Sequence, residues 1–451
     1  MNYRLVLPCI AAAMFAVAPA FAQVRLVSVS AAGVSGKSDS YNPNWHPSGC
    51  CVVFYTQATN IFASPPPNPT ATQIAMVNLS TGVVTNMAPG VAVTTPDAIN
   101  TYKYVPCKTP PIFSADGTQL VFYAEAANGI DPTDTGTYID AFIENVTTGQ
   151  ITRMSAPNGI QGNGSSYSPL IAANGQTAAF VTLAHNLIPG LRYDGNALMI
   201  YNVASGAVRL GSLTQGGVPV KGGIDQPQFS PDGTEIVYGT NAPNLVPTPA
   251  GSTNIFIQSL SGAAPILVSQ TASGVIGNGL STHGRFSPDG TQVLFQTNST
   301  SLGGNGVTLQ VYVKNLQTGA LTLISTDVNG VAGNGNSDHA EMSPDGTMVV
   351  MDTAATNFAA GTPTGSNQIA VKDLVTGTMS VVSVSPTGAP GTGNSNHPHW
   401  SPDGTMITFG SSSSNLVPGQ VIHQQGVFVV PAPVTADAAA RAAWRARPLA
   451  R

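Results

Sequence analysis

Seven histidines are spread over the 451 residues, and three of them fall in register. His283, His339 and His397 each stand four residues before the serine of a Ser-Pro-Asp-Gly-Thr turn, in three consecutive copies that begin at Ser287, Ser343 and Ser401. His399 adds a fourth imidazole two residues after His397. Equivalent positions on successive copies of one unit meet when the units are arranged about an axis, and imidazoles converging on a channel there are ligands for Zn²⁺, Mn²⁺ or a similar divalent cation. Arg285 and Glu341 stand two residues before the turn in the first two of these copies. They are placed to bind an acidic group of a ligand or to pair with each other. The competing reading of all six residues is structural, since strand side chains in such units mostly face the next unit and polar groups at a channel mouth can be satisfied by water.

The turn itself says what positions these side chains. A further close copy begins at Ser230, and weaker ones stand at Ser114-Ala115-Asp116-Gly117-Thr118, at His46-Pro47-Ser48-Gly49 and at Ala172-Ala173-Asn174-Gly175. The seven turn glycines are spaced by 68, 58, 58, 57, 56 and 58 residues, a period that marks one supersecondary unit written seven times. Proline pre-sets φ and glycine accepts positive φ, so the chain reverses at each copy. Runs such as Gln292-Val293-Leu294-Phe295 and Met348-Val349-Val350-Met351 follow, apolar on both faces as in strands buried between two sheets. Each unit reads as four strands. Strand A ends at the turn and B follows it; C is exemplified by Gln310-Val311-Tyr312-Val313 and D by residues 321–325. The last unit runs into Pro431 and Pro433 without a strand D, whereas Arg25-Leu26-Val27-Ser28-Val29-Ser30 resembles an orphan strand D. The N-terminal strand is therefore expected to close the ring and remove its open edge.

The A–B and C–D turns fall on one face of such a ring, and the B–C and D–A connections on the other. The second set is longer and more varied, at 63–72, 95–110, 126–137 and 361–366, which marks the expected functional face. Asp116, Asp232, Asp289, Asp345 and Asp403 are turn residues, expected to bond local backbone donors. Asp131, Asp134 and Asp140 offer oxygen ligands for Ca²⁺ but without an EF-hand pattern.

Composition fits a turn-rich all-β protein, with 8% charged residues, 48 glycines, 35 prolines and a formal charge of −5. Nothing basic is in surplus for nucleic acid. Residues 1–22 read as a secretory signal, with Arg4, an apolar stretch and a small-residue site that predicts cleavage after Ala22, and hence a periplasmic or secreted chain. No other apolar run approaches the roughly 18 residues of a membrane-spanning helix. Cys50, Cys51 and Cys107 remain after cleavage. Cys107 falls near the opposite end of a strand from the other two, too far for a bridge, which leaves a vicinal Cys50–Cys51 disulfide or free thiols. Residues 23–433 form the ring and 434–451 an Ala/Arg-rich, helix-prone tail, read as solvated or as a docking helix. There is no Gly-x-Ser-x-Gly elbow and no Gly-rich loop opening a helix, so serine-hydrolase and phosphate-binding chemistry are disfavoured.

The Ser-Pro-Asp-Gly turn preceded by an aromatic and followed by a β run resembles the PD40, or WD40-like, repeats of TolB-type β-propellers, across all seven units. Asn186-Leu187-Ile188-Pro189-Gly190, Asn244-Leu245-Val246-Pro247 and Asn415-Leu416-Val417-Pro418-Gly419 look like a variant of exported bacterial members. The resemblance implies an all-β, seven-bladed β-propeller of four-stranded blades, monomeric, binding an envelope or extracellular protein or a polar ligand without catalysis. Asn394-Ser395-Asn396-His397-Pro398-His399-Trp400 also resembles the metal-binding strand of oligogalacturonate lyase propellers. That implies the alternative, a metal-dependent enzyme in which the ion binds a uronate carboxylate while a base removes the adjacent proton; no residue here is identifiable as the base.

Overall fold

The computed structural model describes residues 23–66, 69, 72–88, 109–125, 138–246, 252–359, 361–419, 425–433 and 441. The signal segment, Cys107, the Asp131/Asp134 candidate and most of the tail lie outside them, as do much or all of the stretches 63–72, 95–110 and 126–137.

Strand β1 (Arg25–Leu26) precedes six complete units. Blade 1 comprises β2 (Ser40–Trp45), β3 (Cys51–Thr56), β4 (Gln73–Asn78) and β5 (Val84–Asn86). Blade 2 holds β6 (Ile112–Phe113), β7 (Gln119–Glu125), β8 (Ile139–Asn145) and β9 (Gln150–Arg153). Blade 3 holds β10 (Ser166–Ile171), β11 (Thr177–Thr182), β12 (Ala197–Asn202) and β13 (Val208–Leu210). In blade 4 these are β14 (Ile224–Phe229), β15 (Glu235–Thr240), β16 (Asn254–Ser259) and β17 (Ile266–Leu267). Blade 5 has β18 (Ser281–Phe286), β19 (Gln292–Thr297), β20 (Gln310–Asn315) and β21 (Leu321–Leu323). Blade 6 has β22 (Ser337–Met342), β23 (Met348–Thr353), β24 (Gln368–Asp373) and β25 (Met379–Val381). Blade 7 has β26 (Ser395–Trp400), β27 (Met406–Ser411) and β28 (Gly426–Pro431). Its fourth strand is β1, antiparallel to β28 with Arg25 opposite Val429 and Leu26 opposite Phe428. The protein is thus a seven-bladed β-propeller whose ring is closed by the N-terminal strand.

The second strand of each blade is packed between neighbouring blades, as its two-sided apolar pattern requires: β3 and β23 are buried at every position. Aromatic pairs fill the blades, Phe122 on Phe142 at 5.6 Å and Phe409 on Phe428 at 5.7 Å, all four fully buried. Truncating one to alanine costs about 3–5 kcal/mol.

One feature of the inner strands decides where the candidate side chains point. In six blades the pairing of strands A and B shifts register within strand A, between Tyr41 and Asn44 in blade 1 and between Asp338 and Glu341 in blade 6. At the shift Asn42, Ser168, Gln226, His283, His339 and His397 take left-handed backbone, with φ of 41–52°. Such a bulge re-aims its side chain, and His and Asn are among the residues that best tolerate this region. Blade 2 carries Pro110 there, whose ring fixes φ near −65°; its inner strand is reduced to Ile112–Phe113.

The connections on the loop face are stapled. Asn60, Asn186, Asn244, Asn357 and Asn415 each accept a backbone N–H from the D–A connection entering their own blade (from Lys37, Asn163, Lys221, Asn334 and Thr392, at 2.8–3.0 Å). Each donates back to a carbonyl of that connection, for example Asn244 to Pro219 at 3.0 Å. In blade 5 Ser301 does both jobs. This is the role of the asparagine in the recurring Asn-Leu-Val-Pro stretch.

Cys50 and Cys51 form a disulfide, which leaves neither sulphur for Cys107. Among the described residues no helix is long and apolar enough to cross a membrane.

Candidate functional site

The bulge residues line a cavity of about 520 Å³ at the loop-side end of the axial channel, with Gln226, His283, His339, His397, Arg285 and His399 in its wall. The three in-register imidazoles stand side by side. Ring centroids are 4.6 Å apart between His283 and His339, and 4.2 Å between His339 and His397.

His283 and His339 are each backed by a carboxylate. His283 Nδ1 lies 2.8 Å from Asp338 Oδ1, and His339 Nδ1 lies 2.7 Å from Asp352 Oδ2. Asp338 also accepts the His339 backbone N–H at 2.9 Å. Asp352, 1% exposed, accepts the His397 backbone N–H at 3.2 Å and so ties blade 6 to blade 7. An ionised carboxylate only accepts, so the ring proton sits on Nδ1 and the Nε2 lone pair is presented elsewhere. His283 Nε2 is buried with no hydrogen-bond partner.

His399 does not join this row. Its Nδ1 lies 2.7 Å from Glu341 Oε2, the oxygen that also pairs with Arg285. Arg285 and Glu341 line both the loop-side cavity and a second cavity of about 340 Å³ on the turn side, so this cluster occupies the waist of the channel. The indole of Trp400 donates to the Glu341 carbonyl and that of Trp45 to the His399 carbonyl, both at 3.1 Å, which fastens each inner strand to the preceding blade. The six residues singled out in the sequence therefore divide into a three-imidazole row and a half-buried ion-pair cluster. Of the two readings open for Arg285 and Glu341, the structure shows mutual pairing.

The fields in the two groups differ. Burial pushes the Asp338 carboxyl up, but His283 and His339 outweigh it and hold it well below the usual carboxylate range. Burial lowers His339, yet Asp352 and Asp338 overcome it and raise the imidazole above its ordinary value. Burial likewise raises Glu341, and Arg285 with His399 brings it below its ordinary value. For His399 burial wins over Glu341 and the imidazole is held low.

Ligand atoms of His283, Asp338 and His339 lie within 4.8 Å of one another, the one such group among the described residues. Imidazole nitrogens suit Zn²⁺ or Mn²⁺. A carboxylate on Nδ1 is the outer-shell arrangement that orients metal-binding histidines, and the partnerless Nε2 of His283 is a donor atom such an ion would satisfy. Asp338 and Asp352 escape a count that samples one position per strand. Asp352 had a signal, as the acid directly after the apolar run Met348-Val349-Val350-Met351.

The turn aspartates behave as hairpin parts. Asp289 Oδ1 accepts from Ser287 Oγ and the Thr291 N–H, and the pattern recurs at Asp116, Asp232 and Asp403.

No protein-family model and no curated protein matches the sequence. Solved structures do. An oligogalacturonate lyase in complex with manganese superposes with a TM-score of 0.53 at 12% identity, covering 92% of this chain and 98% of that one. The oligogalacturonate lyase of Vibrio parahaemolyticus gives 0.55 at 10% identity, over 91% and 93%. TolB from Acinetobacter baumannii gives 0.43 at 14% identity, over 80% and 76%. At these identities the likeness is one of fold, and the shared fold is the propeller expected from the repeated turn.

Proposed function

We propose that this chain is a ligand-binding propeller whose site is the loop-side mouth of the axial channel, where the imidazoles of His283 and His339, backed by Asp338 and Asp352, hold a divalent cation that in turn receives an acidic group of a polar ligand or partner protein. The observation that carries this reading is the carboxylate-backed imidazole row with an orphaned buried Nε2 at its end. His397 is the third imidazole of the row, and His399 with Arg285 and Glu341 shapes the floor of the site. Export belongs to the same proposal: the apolar segment 1–22 supports a periplasmic or secreted chain processed after Ala22, acting as a monomer on an envelope or extracellular partner.

The test is ion retention. Chain stripped with a chelator and dialysed against Mn²⁺ or Zn²⁺ is expected to hold one ion by elemental analysis, and His283→Asn to lose it. Asparagine is tolerated at this bulge, since Asn42 occupies it in blade 1. Failure of the wild-type chain to retain a stoichiometric ion sinks the proposal.

A second reading, lyase action on an acidic saccharide, is favoured by the likeness in fold to the manganese-bound oligogalacturonate lyase over nearly the whole chain. Incubation of the Mn²⁺-loaded chain with oligogalacturonate, followed by the ultraviolet absorbance of an unsaturated product, separates the two. Ion retention without product leaves the binding function alone.

A further inference from the structure

The turn aspartate recurs in five blades, and in four of them it is exposed: Asp116, Asp232, Asp289 and Asp403. In blade 6 Asp345 is half-buried and its neighbour Thr347 fully buried, where a guanidinium lies against them. Arg441 Nη1 is 3.4 Å from Asp345 Oδ2 and bonds Thr347 Oγ1, and Nη2 is 3.3 Å from Asp373 Oδ2. The side chains of Arg441 and Asp373 are 14% and 4% exposed.

Asp373 is the last residue of β24, a position held by Asn78, Asn145, Asn202 and Asn315 in blades 1, 2, 3 and 5. There the amide oxygen caps the C–D turn: Asn315 Oδ1 accepts the N–H groups of Gln317 and Thr318, as Asn78 accepts those of Ser80 and Thr81. Asp373 Oδ1 does the same for Val375 and Thr376, at 2.8 and 2.9 Å. The turn uses one oxygen. The other atom, an NH₂ in those blades, is in blade 6 a carboxylate oxygen directed at Arg441. Of the seven blades only this one has an acid at both positions.

We infer that Asp345, Thr347 and Asp373 form a guanidinium receptor on the turn face, and that its occupant is Arg441, which fastens the chain there to blade 6. Two carboxylates facing a planar fork of donors favour arginine over the point charge of lysine. The chain reaches this face at the end of β28, where the Ala432 N–H bonds the Thr405 carbonyl in the A–B turn of blade 7. The anchor thus ties the exit of the closing blade to the blade before it, independently of the channel.

Limited trypsin digestion of the full chain, with mass spectrometry of the C-terminal fragment released at Arg445, tests this. Asp373→Asn keeps the turn cap, as asparagine does in four other blades, and is expected to speed release roughly fivefold, the factor of about one lost ion-pair interaction. Asp345→Asn, the residue type of Asn174 in blade 3, should act in the same direction. Equal release from wild type and both asparagine variants overturns the inference.

Discussion

His339 and His399 both carry a carboxylate on Nδ1, yet their surroundings drive them in opposite directions. For His339 the folded value lies above the ordinary imidazole value of about 6.5. Its contribution to stability is therefore fully present below that pH and is lost as pH rises through the folded value. His399, held low, costs stability as pH falls below about 6.5, because the unfolded chain takes up that proton first. Asp338 and Glu341 contribute above the ordinary carboxylate values of about 4 and lose their contribution as pH falls through their lowered values. In ion-free protein His339→Gln isolates the first effect, and the bulge accommodates glutamine, as Gln226 shows in blade 4. The melting temperature is expected to drop more on this change at pH 6 than at pH 8; an equal drop at both means the imidazole is not raised. The row of histidines was legible because a turn with fixed spacing turns sequence position into channel height. The carboxylates behind them were not, because Asp338 reaches His283 from the next blade and Asp352 reaches His339 from strand B of its own blade, positions a fixed distance before the turn does not mark.

The bulge in strand A is the element that makes the site. Without it the fourth residue before the turn would obey the strict alternation of a strand. Its sequence signal was the next residue, Pro43, Pro111, Pro169, Pro227 and Pro398 in five blades, since proline inside a sheet is confined to edges and bulges. Blade 2 shows the limit, where a second proline at the bulge shortens the strand. The staple is the counterpart on the loop face, where sequence reading expected varied loops and the described connections share one repeated, cross-bonded form. Asn244→Ala removes the partner of the Lys221 N–H and the Pro219 carbonyl and is expected to cost about 1–2 kcal/mol in urea unfolding. Asn244→Ser should cost less, because Ser301 serves the same two groups in blade 5. Equal losses for the two variants would show that the hydrogen bonds are not what holds the loop.

At the scale of the whole molecule the ring depends on a very short seam. Strand β1 contributes two paired residues, extended by the Val27 N–H on the Val427 carbonyl at 2.8 Å and by the Val427 N–H on Ser28 Oγ. Leu26 packs in the core formed with Phe409, Phe428 and Trp400. Deleting residues 23–28 uncovers the edge of β28 and an apolar face together, and exposed edges recruit other chains. The deleted protein is expected to elute as larger species than wild type by size exclusion, while a Leu26→Val change elutes as wild type does; a deletion variant that also elutes as wild type would show that six and three-quarter blades suffice. The seven-unit ring itself could be anticipated from the glycine period, because each unit buries its faces only against its neighbours. The seam also imposes an order in time. A ribosome makes β1 first and its partner β28 some four hundred residues later, so the earliest strand must stay unpaired for almost the whole of synthesis. The ring therefore cannot close until β28 has been made.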